Sequence, residues 1–196
     1  MTQAEFLQEI VHHLDRAGLP YMIVGSVASS AYGEGRTTFD TDIVVDAPWE
    51  PVQRFVRGLG PEYYVSEEAA RDAWDRRSMF NVIHIASGNK ADIICRKDTD
   101  YAAVAFERRG SEQALGIEVQ LCSPEDVILA KLDWSKRSES ERQYRDALGV
   151  AKARGASLDV AYVTRWADDL GVGDLLTRLL RDAEIPSSPE PQRSEP

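Results

Sequence analysis

Two acidic residues, Asp40 and Asp42, stand one residue apart at the start of the apolar run "DTDIVV". If this run is a strand, its period of two places both carboxylates on one face, with Cα atoms roughly 6.5–7 Å apart. Carboxylates at that separation can converge on one divalent ion, and hard oxygen ligands suit Mg²⁺ or Mn²⁺. The pair alone proves little in an acidic chain, because acid-x-acid pairs also occur at 98/100, 139/141 and 182/184.

Two further features set the first pair apart from the others. Gly25 and Ser26 follow the short apolar run "YMIV", and such a turn offers backbone N–H groups and a hydroxyl for phosphate oxygens. Asp92 lies inside the apolar run "ADIICR", where a carboxylate is costly unless it is paired or bound to metal. Three carboxylates beside a phosphate-holding turn describe a two-metal phosphoryl-transfer site. The spacing leaves open the simpler alternative of an acidic turn that precedes a strand.

The elements that must position these residues can be predicted from periodicity and from turn residues. Short apolar runs that alternate with helical patterns, together with one hairpin, predict an α/β (α+β) fold with a mixed β-sheet. The predicted strands are 21–24, 39–45, 79–86, 91–96 and 117–121, and the predicted helices of this part are 2–17, 27–32, 51–59, 66–77 and 99–109.

The character of the chain changes at residue 123, where "SPED" combines a capping-box pattern with proline at the first helical position. We therefore predict an α/β core over 1–122 and a C-terminal helical segment over 123–185. The tail 186–196 has no apolar content to bury, and we expect it to be disordered.

Composition limits the functional classes. The chain of 196 residues carries a formal net charge of −10, which argues against broad electrostatic binding to nucleic acid. No apolar run approaches the length of a membrane span, and the acidic N-terminus does not resemble a signal peptide. Two widely separated cysteines, Cys95 and Cys122, are typical of reduced core thiols. These features favour a cytoplasmic protein with no membrane partner.

The motifs together resemble a known family. An apolar-Gly-Ser turn, thirteen residues, an Asp-x-Asp pair and a distant strand aspartate look like the nucleotidyltransferase fold of the DNA polymerase β superfamily. The loop "GRTTFDTDIVV" is similar to that of small bacterial members, including the AbiEii-like toxins of toxin–antitoxin systems. The stretches "PEDVILAKLDW" and "SERQYRDALGV" resemble the helical part of standalone bacterial nucleotidyltransferase-like proteins. The resemblance runs from about Tyr21 to Leu180.

The resemblance implies a role for each matching residue. Gly25 and Ser26 would hold the triphosphate of an NTP, with Arg36, Thr38 and Lys131 as further nucleotide contacts. The metal ligands, which are also the catalytic residues, would be Asp40, Asp42 and Asp92, with Mg²⁺ or Mn²⁺ as cofactor. Without the resemblance, Lys131 would be interpreted as a solvated lysine on an amphipathic helix, and Arg36 and Thr38 as turn residues.

The resemblance therefore implies a metal-dependent transfer of NMP from an NTP to a hydroxyl acceptor. Toxin-like relatives suggest tRNA or a protein as acceptor, with an antitoxin as a possible partner. Antibiotic-modifying relatives suggest a small molecule. Two other interpretations stay open: a non-catalytic nucleotide- or partner-binding module on the same fold, and an Asp-x-Asp glycosyltransferase that uses a nucleotide-sugar. The second fits less well, because the Gly-Ser turn has no evident role in it.

Overall fold

The structure is a computed structural model, and it describes residues 1–33 and 40–186. Two of the predicted nucleotide contacts, Arg36 and Thr38, lie outside the described residues. The predicted tail lies outside them as well from residue 187 onward. The chain divides into two compact units: the first is formed by most residues up to Ser123, and the second by those from Pro124 onward together with a short segment that begins at Tyr32. Each unit is described by itself.

Within the described residues, the first unit consists of helices and a seven-stranded sheet. Its helices are α1 (Gln3–Ala17), α2 (Gly25–Tyr32), α3 (Trp49–Gly58), α4 (Glu67–Asp75) and α5 (Asp100–Glu107). Its strands are β1 (Tyr21–Val24), β2 (Asp40–Val45), β3 (Tyr63–Tyr64), β4 (Met79–His84), β5 (Lys90–Cys95), β6 (Gly110–Ala114) and β7 (Ile117–Leu121).

The sheet is mixed, as the sequence predicts. Its strand order is β3-β4-β5-β2-β1-β7-β6. The pairs β2–β5 and β1–β7 are parallel, while β1–β2, β3–β4, β4–β5 and β6–β7 are antiparallel. The pair β2–β5 matters most for function. These two strands are about fifty residues apart in sequence, lie side by side in the sheet, and both carry predicted site aspartates.

The two faces of these central strands differ in burial. On β2, Ile43 and Val45 are fully buried, and on β5 their register partners Ile93 and Cys95 are fully buried too. The alternate residues of β2 are only partly buried, beginning with the exposed Asp40. Because side chains on a strand alternate between faces, the apolar core lies on one face and the acidic residues lie on the other.

The helix that precedes β1 forms as its sequence predicts. The Thr2 hydroxyl accepts from the Glu5 N–H at 3.2 Å, and the Glu5 carboxylate accepts from the Thr2 N–H at 2.7 Å. This capping box satisfies two N–H groups that the first turn cannot pair. At the other end Gly18 adopts φ +62°, the left-handed conformation that terminates many helices. Helix α1 therefore ends just before β1, which leads to the Gly25–Ser26 segment.

Two strands, β3 and β6, were not predicted. β6 has the sequence "GSEQA", is exposed at every residue except the last and lies at the edge of the sheet. An edge strand that is exposed on both faces has no apolar alternation to detect. It pairs with β7 through a tight turn in which Leu115 and Gly116 both have positive φ. β3 has only two residues, too few to show any period.

The second unit, as far as it is described, is helical. It comprises α6 (Pro124–Ser138), α7 (Glu141–Arg154), a short 3₁₀ turn (Gly155–Ser157), α8 (Val160–Asp169) and α9 (Gly173–Asp182). Helix α6 packs against α7 and α8, and α9 packs against α7 and α8. Across the described ranges, no helix is both long enough and apolar enough to cross a membrane.

Candidate active site

The parallel register of β2 and β5 brings the predicted carboxylates side by side. Asp42 pairs with Asp92, and two residues earlier Asp40 pairs with Lys90. Directly paired residues on adjacent strands project from the same face with Cβ atoms about 5 Å apart. Asp40, Asp42 and Asp92 therefore share one face of the sheet, although β2 and β5 are distant in sequence.

The Gly25 backbone meets this acidic row at Asp42. A Cβ atom added to Gly25 would lie 2.0 Å from Asp42 Oδ2 and 2.8 Å from its Cγ. Gly25 also has φ +64°, which favours glycine. Two independent constraints thus require glycine here, and they allow the main chain to approach the carboxylate closely.

Gly25 and Ser26 are the first two residues of helix α2, which starts directly where β1 ends. The sequence predicts a turn at Gly25–Ser26 and a helix that begins one residue later, at Val27. The first four N–H groups of a helix have no partner within the helix, and they carry the positive end of its dipole. The N-terminus of α2 therefore begins beside the acidic face of the sheet, because the Gly25 backbone lies close to the Asp42 carboxylate.

A lysine that the sequence analysis did not select, Lys90, lies among the carboxylates. Its Nζ is 3.1 Å from Asp92 Oδ1 and 3.2 Å from Asp92 Oδ2, and it is 3.7 Å from Asp40 Oδ1. Burial lowers the pKa of Lys90, but hydrogen bonds and charge from Asp92 and Asp40 outweigh this and raise the pKa overall. The ammonium group therefore neutralises part of the acidic row.

Asp92 has a second partner on the other side of β5. Asn81 of β4 is its register partner and donates a hydrogen bond from Nδ2 to Asp92 Oδ1. The Asp92 side chain is only 12% exposed, so these bonds supply the pairing that a buried carboxylate requires. Asp92 is held in a fixed orientation by an amide and an ammonium group.

The residues of the acidic row match a divalent cation in ligand type. Carboxylate oxygens are what Mg²⁺ and Mn²⁺ prefer, and the β2–β5 register places them in one row. Within the described residues, however, no three His, Cys, Asp or Glu side chains are grouped closely enough to hold a metal ion. The ligand types therefore suit a divalent cation, but in this structure the Lys90 ammonium lies beside two of the three carboxylates, those of Asp40 and Asp92.

Lys131, a predicted nucleotide contact, lies in the helical unit. It is 6% exposed, and its Nζ donates to Asp146 Oδ2 at 2.9 Å. The alternative interpretation of Lys131 as a solvated surface lysine is therefore wrong, because α6 buries this residue against α7. Its assignment to the triphosphate stays a prediction.

A signal for Lys90 was present in the sequence. In "NKADIICR", a strand period of two places Lys90 and Asp92 on the same face, and a lysine is costly inside a sheet unless it has a carboxylate partner. Asn81 could not be found in this way, because its relation to Asp92 depends on the β4–β5 register.

Several solved structures share the fold of this chain. Neither a protein-family profile nor a curated protein matches this sequence. Among solved structures, the antibiotic-resistance factor ANT(2'')-Ia in solution superposes with a TM-score of 0.58 at 18% identity, over 85% of this chain and 94% of that protein. The crystal structure of ANT(2'')-Ia in complex with adenylyl-2''-tobramycin gives 0.57 at 19% identity, over 91% and 99%.

An antigenic nucleotidyltransferase-like protein from Paracoccidioides brasiliensis matches with a TM-score of 0.53 at 14% identity, and the match covers 92% of each chain. The chain has the nucleotidyltransferase fold. At these identities the likeness concerns the nucleotidyltransferase fold alone, and the predicted closeness to AbiEii-like toxins stays a prediction.

Proposed function

We propose that this protein is a metal-dependent nucleotidyltransferase that transfers NMP from an NTP to a hydroxyl acceptor. The observation that carries the proposal is the arrangement at the end of β1. There the N-terminus of α2 begins at Gly25 against the Asp42 carboxylate, and Asp92 is the register partner of Asp42 on the neighbouring strand. N–H groups of the kind that bind phosphate thus lie beside carboxylates of the kind that bind metal ions.

In the proposed reaction each of these residues has a defined role, and Asp92 has two. The N–H groups at the start of α2 and the Ser26 hydroxyl bind phosphate oxygens of the NTP. Asp40, Asp42 and Asp92 would hold Mg²⁺ or Mn²⁺, which when bound neutralises the triphosphate and lowers the pKa of an attacking hydroxyl. The acceptor oxygen forms a bond to the α-phosphorus, the bond to pyrophosphate breaks, and Asp92 accepts the hydroxyl proton.

The proposed reaction requires few side chains from the protein. Phosphoryl transfer leaves little covalent chemistry to a protein, so positioning and charge neutralisation supply most of the rate. Strands β2 and β5 fix the carboxylates through backbone hydrogen bonds, and Asn81 fixes the orientation of Asp92. The rigid elements of the sheet thus provide the positioning.

The test is transfer of label from each α-³²P-labelled NTP to candidate acceptors, with Mg²⁺ and Mn²⁺ both tried. We expect the double variant Asp40→Ala/Asp42→Ala to reduce transfer at least about 100-fold, the range typical of a lost transition-state contact. The matched control is Asp98→Ala/Asp100→Ala, which removes an acid-x-acid pair from exposed positions. Equal transfer by the wild type and the Asp40→Ala/Asp42→Ala variant would contradict the proposal.

Two acceptor classes compete within this proposal. The sequence resemblance suggests tRNA or a protein, as in a toxin with an antitoxin partner. A cationic aminoglycoside is favoured by the net charge of −10 and by the likeness to ANT(2'')-Ia, which is solved with adenylyl-2''-tobramycin. Parallel assays with bulk tRNA and with tobramycin separate them, because only the true acceptor becomes labelled.

A non-catalytic nucleotide-binding module is the second candidate function. The Lys90 ammonium favours it, since it neutralises two carboxylates that a catalytic metal would need. A module of this kind binds NTP with no increase of affinity on addition of Mg²⁺, and it transfers no label to any acceptor. Calorimetric titration of ATP with and without Mg²⁺ distinguishes the two functions.

A further inference from the structure

Lys90 places a positive charge beside two of the three predicted metal-ligand carboxylates. Asp40, Asp42 and Asp92 form one acidic row on β2 and β5, and like charges at this spacing repel one another. The Lys90 ammonium contacts both oxygens of Asp92 and lies 3.7 Å from Asp40. A single side chain therefore offsets charge on both strands.

The Lys90 side chain is partly accessible to solvent in this position. It is 31% exposed, and Asp40, one of its two partners, is 58% exposed, so water can replace the contact to Asp40. Lysine carries its charge on a flexible four-carbon stem, unlike the rigid fork of arginine. Asp92, in contrast, also accepts a hydrogen bond from Asn81, which does not involve Lys90.

We propose that Lys90 is a built-in counter-cation that occupies the carboxylate row in the metal-free protein and competes with the divalent ion for it. This inference rests on the proposed function, because it takes Asp40, Asp42 and Asp92 as the metal ligands. A divalent ion must displace the ammonium from Asp92 before that carboxylate can act as a ligand. Metal affinity is thereby weakened in the absence of substrate, and the displaced ammonium becomes available to the phosphates of the arriving nucleotide.

The test is Mn²⁺ binding to the full chain, measured by the electron paramagnetic resonance of free Mn²⁺ and therefore independent of any activity. We expect Lys90→Gln to bind Mn²⁺ about 10-fold more tightly than the wild type, which corresponds to about 1.4 kcal/mol. Lys97→Gln is the matched control, since it removes the same charge from an exposed position beyond the end of β5. Lys90→Arg keeps the charge and is expected to bind Mn²⁺ no more tightly than the wild type.

The outcomes separate this proposal from the function on which it rests. If Lys90→Gln binds Mn²⁺ equally or more weakly, while Asp42→Asn abolishes binding, the counter-cation proposal is overturned and the metal site stands. If Asp42→Asn leaves Mn²⁺ binding intact in the wild-type and Lys90→Gln backgrounds, the metal site itself fails and both proposals fall. Circular dichroism of each variant shows whether it is folded. If Lys90→Gln does not fold, Mn²⁺ binding by Lys90→Arg still tests the proposal, since tighter binding than in the wild type would overturn it.

Discussion

The contact between Gly25 and Asp42 gives the sharpest structural prediction. Gly25→Ala would place a methyl group 2.0 Å from Asp42 Oδ2 and 3.1 Å from its Cβ, and the second atom cannot move without the β2 backbone. Holding alanine at φ +64° costs about 1 kcal/mol. Overpacking of this kind costs about 1–3 kcal/mol more. We therefore expect Gly25→Ala to lower the free energy of unfolding by about 2–4 kcal/mol.

A second glycine separates the two contributions. Gly88, in the turn between β4 and β5, has φ +72° and nothing within 4 Å of an added Cβ atom. Gly88→Ala therefore bears only the backbone strain, and its cost should be about 1 kcal/mol. The difference between the two variants in urea denaturation measures the clash with Asp42.

A double-mutant cycle assigns that clash to the carboxylate. Asp42→Ala removes the Oδ2 and Cγ atoms that the methyl group added at position 25 would meet, so Gly25→Ala should cost about 1–2 kcal/mol less in that background. A loss of stability on Gly25→Ala that is no larger than that on Gly88→Ala, or that is the same with and without Asp42, would contradict the close contact. In either case Gly25 would not lie against the acidic row.

Three further predictions concern other parts of the molecule. Asp146→Ala should lower the free energy of unfolding by about 3–5 kcal/mol, because it leaves Lys131 buried and unpaired. The double variant Lys131→Met/Asp146→Leu should recover most of that loss in urea denaturation. An equal loss of stability in the single and the double variant would contradict a buried pair. Thr41→Val should raise the free energy of unfolding by about 1 kcal/mol, because the buried Thr41 hydroxyl has no hydrogen-bond partner in the described structure; a loss in urea denaturation would show that the hydroxyl is satisfied. Burial, and then a hydrogen bond to Asp182, raise the pKa of Tyr144 to about 12, so its contribution to stability is complete below pH 10 and is lost as pH rises toward 12. Tyr144→Phe should remove that part of the pH dependence in unfolding measured from pH 8 to 12, and an unchanged profile would count against the raised pKa.

Much of the fold was predictable because its signals are local. Residues close together in sequence form the capping box at Thr2 and the apolar runs of β1, β2, β5 and β7. The structure contains a helix cap and strands at these positions. The mixed character of the sheet followed from the combination of helical connections and one hairpin. The polar edge strand β6 was missed because it pairs with β7 alone and is exposed at every residue except Ala114.

The candidate site was predictable only in part. Asp40 and Asp42 could be selected from a two-residue spacing, and Asp92 from its apolar surroundings. That Asp42 pairs with Asp92, and that Asn81 pairs with Asp92 from the other side, depends on the register of strands that are distant in sequence. The close approach of Gly25 to Asp42 depends on the β1–β2 pairing in the same way. Spacing shows which side chains share a face, but it does not give the partner across the sheet.

The central claim is that Asp40, Asp42 and Asp92 bind a divalent ion beside the N-terminus of α2. A crystal structure of the protein with Mn²⁺ and a non-hydrolysable ATP analogue, recorded at a wavelength that gives anomalous scattering from manganese, tests it most directly. We expect an anomalous peak within about 2.5 Å of oxygens of Asp42 and Asp92, with phosphate oxygens at the Gly25 and Ser26 N–H groups. A peak elsewhere, or nucleotide bound with Lys90 still paired to Asp92 and no metal at the acidic row, would contradict it.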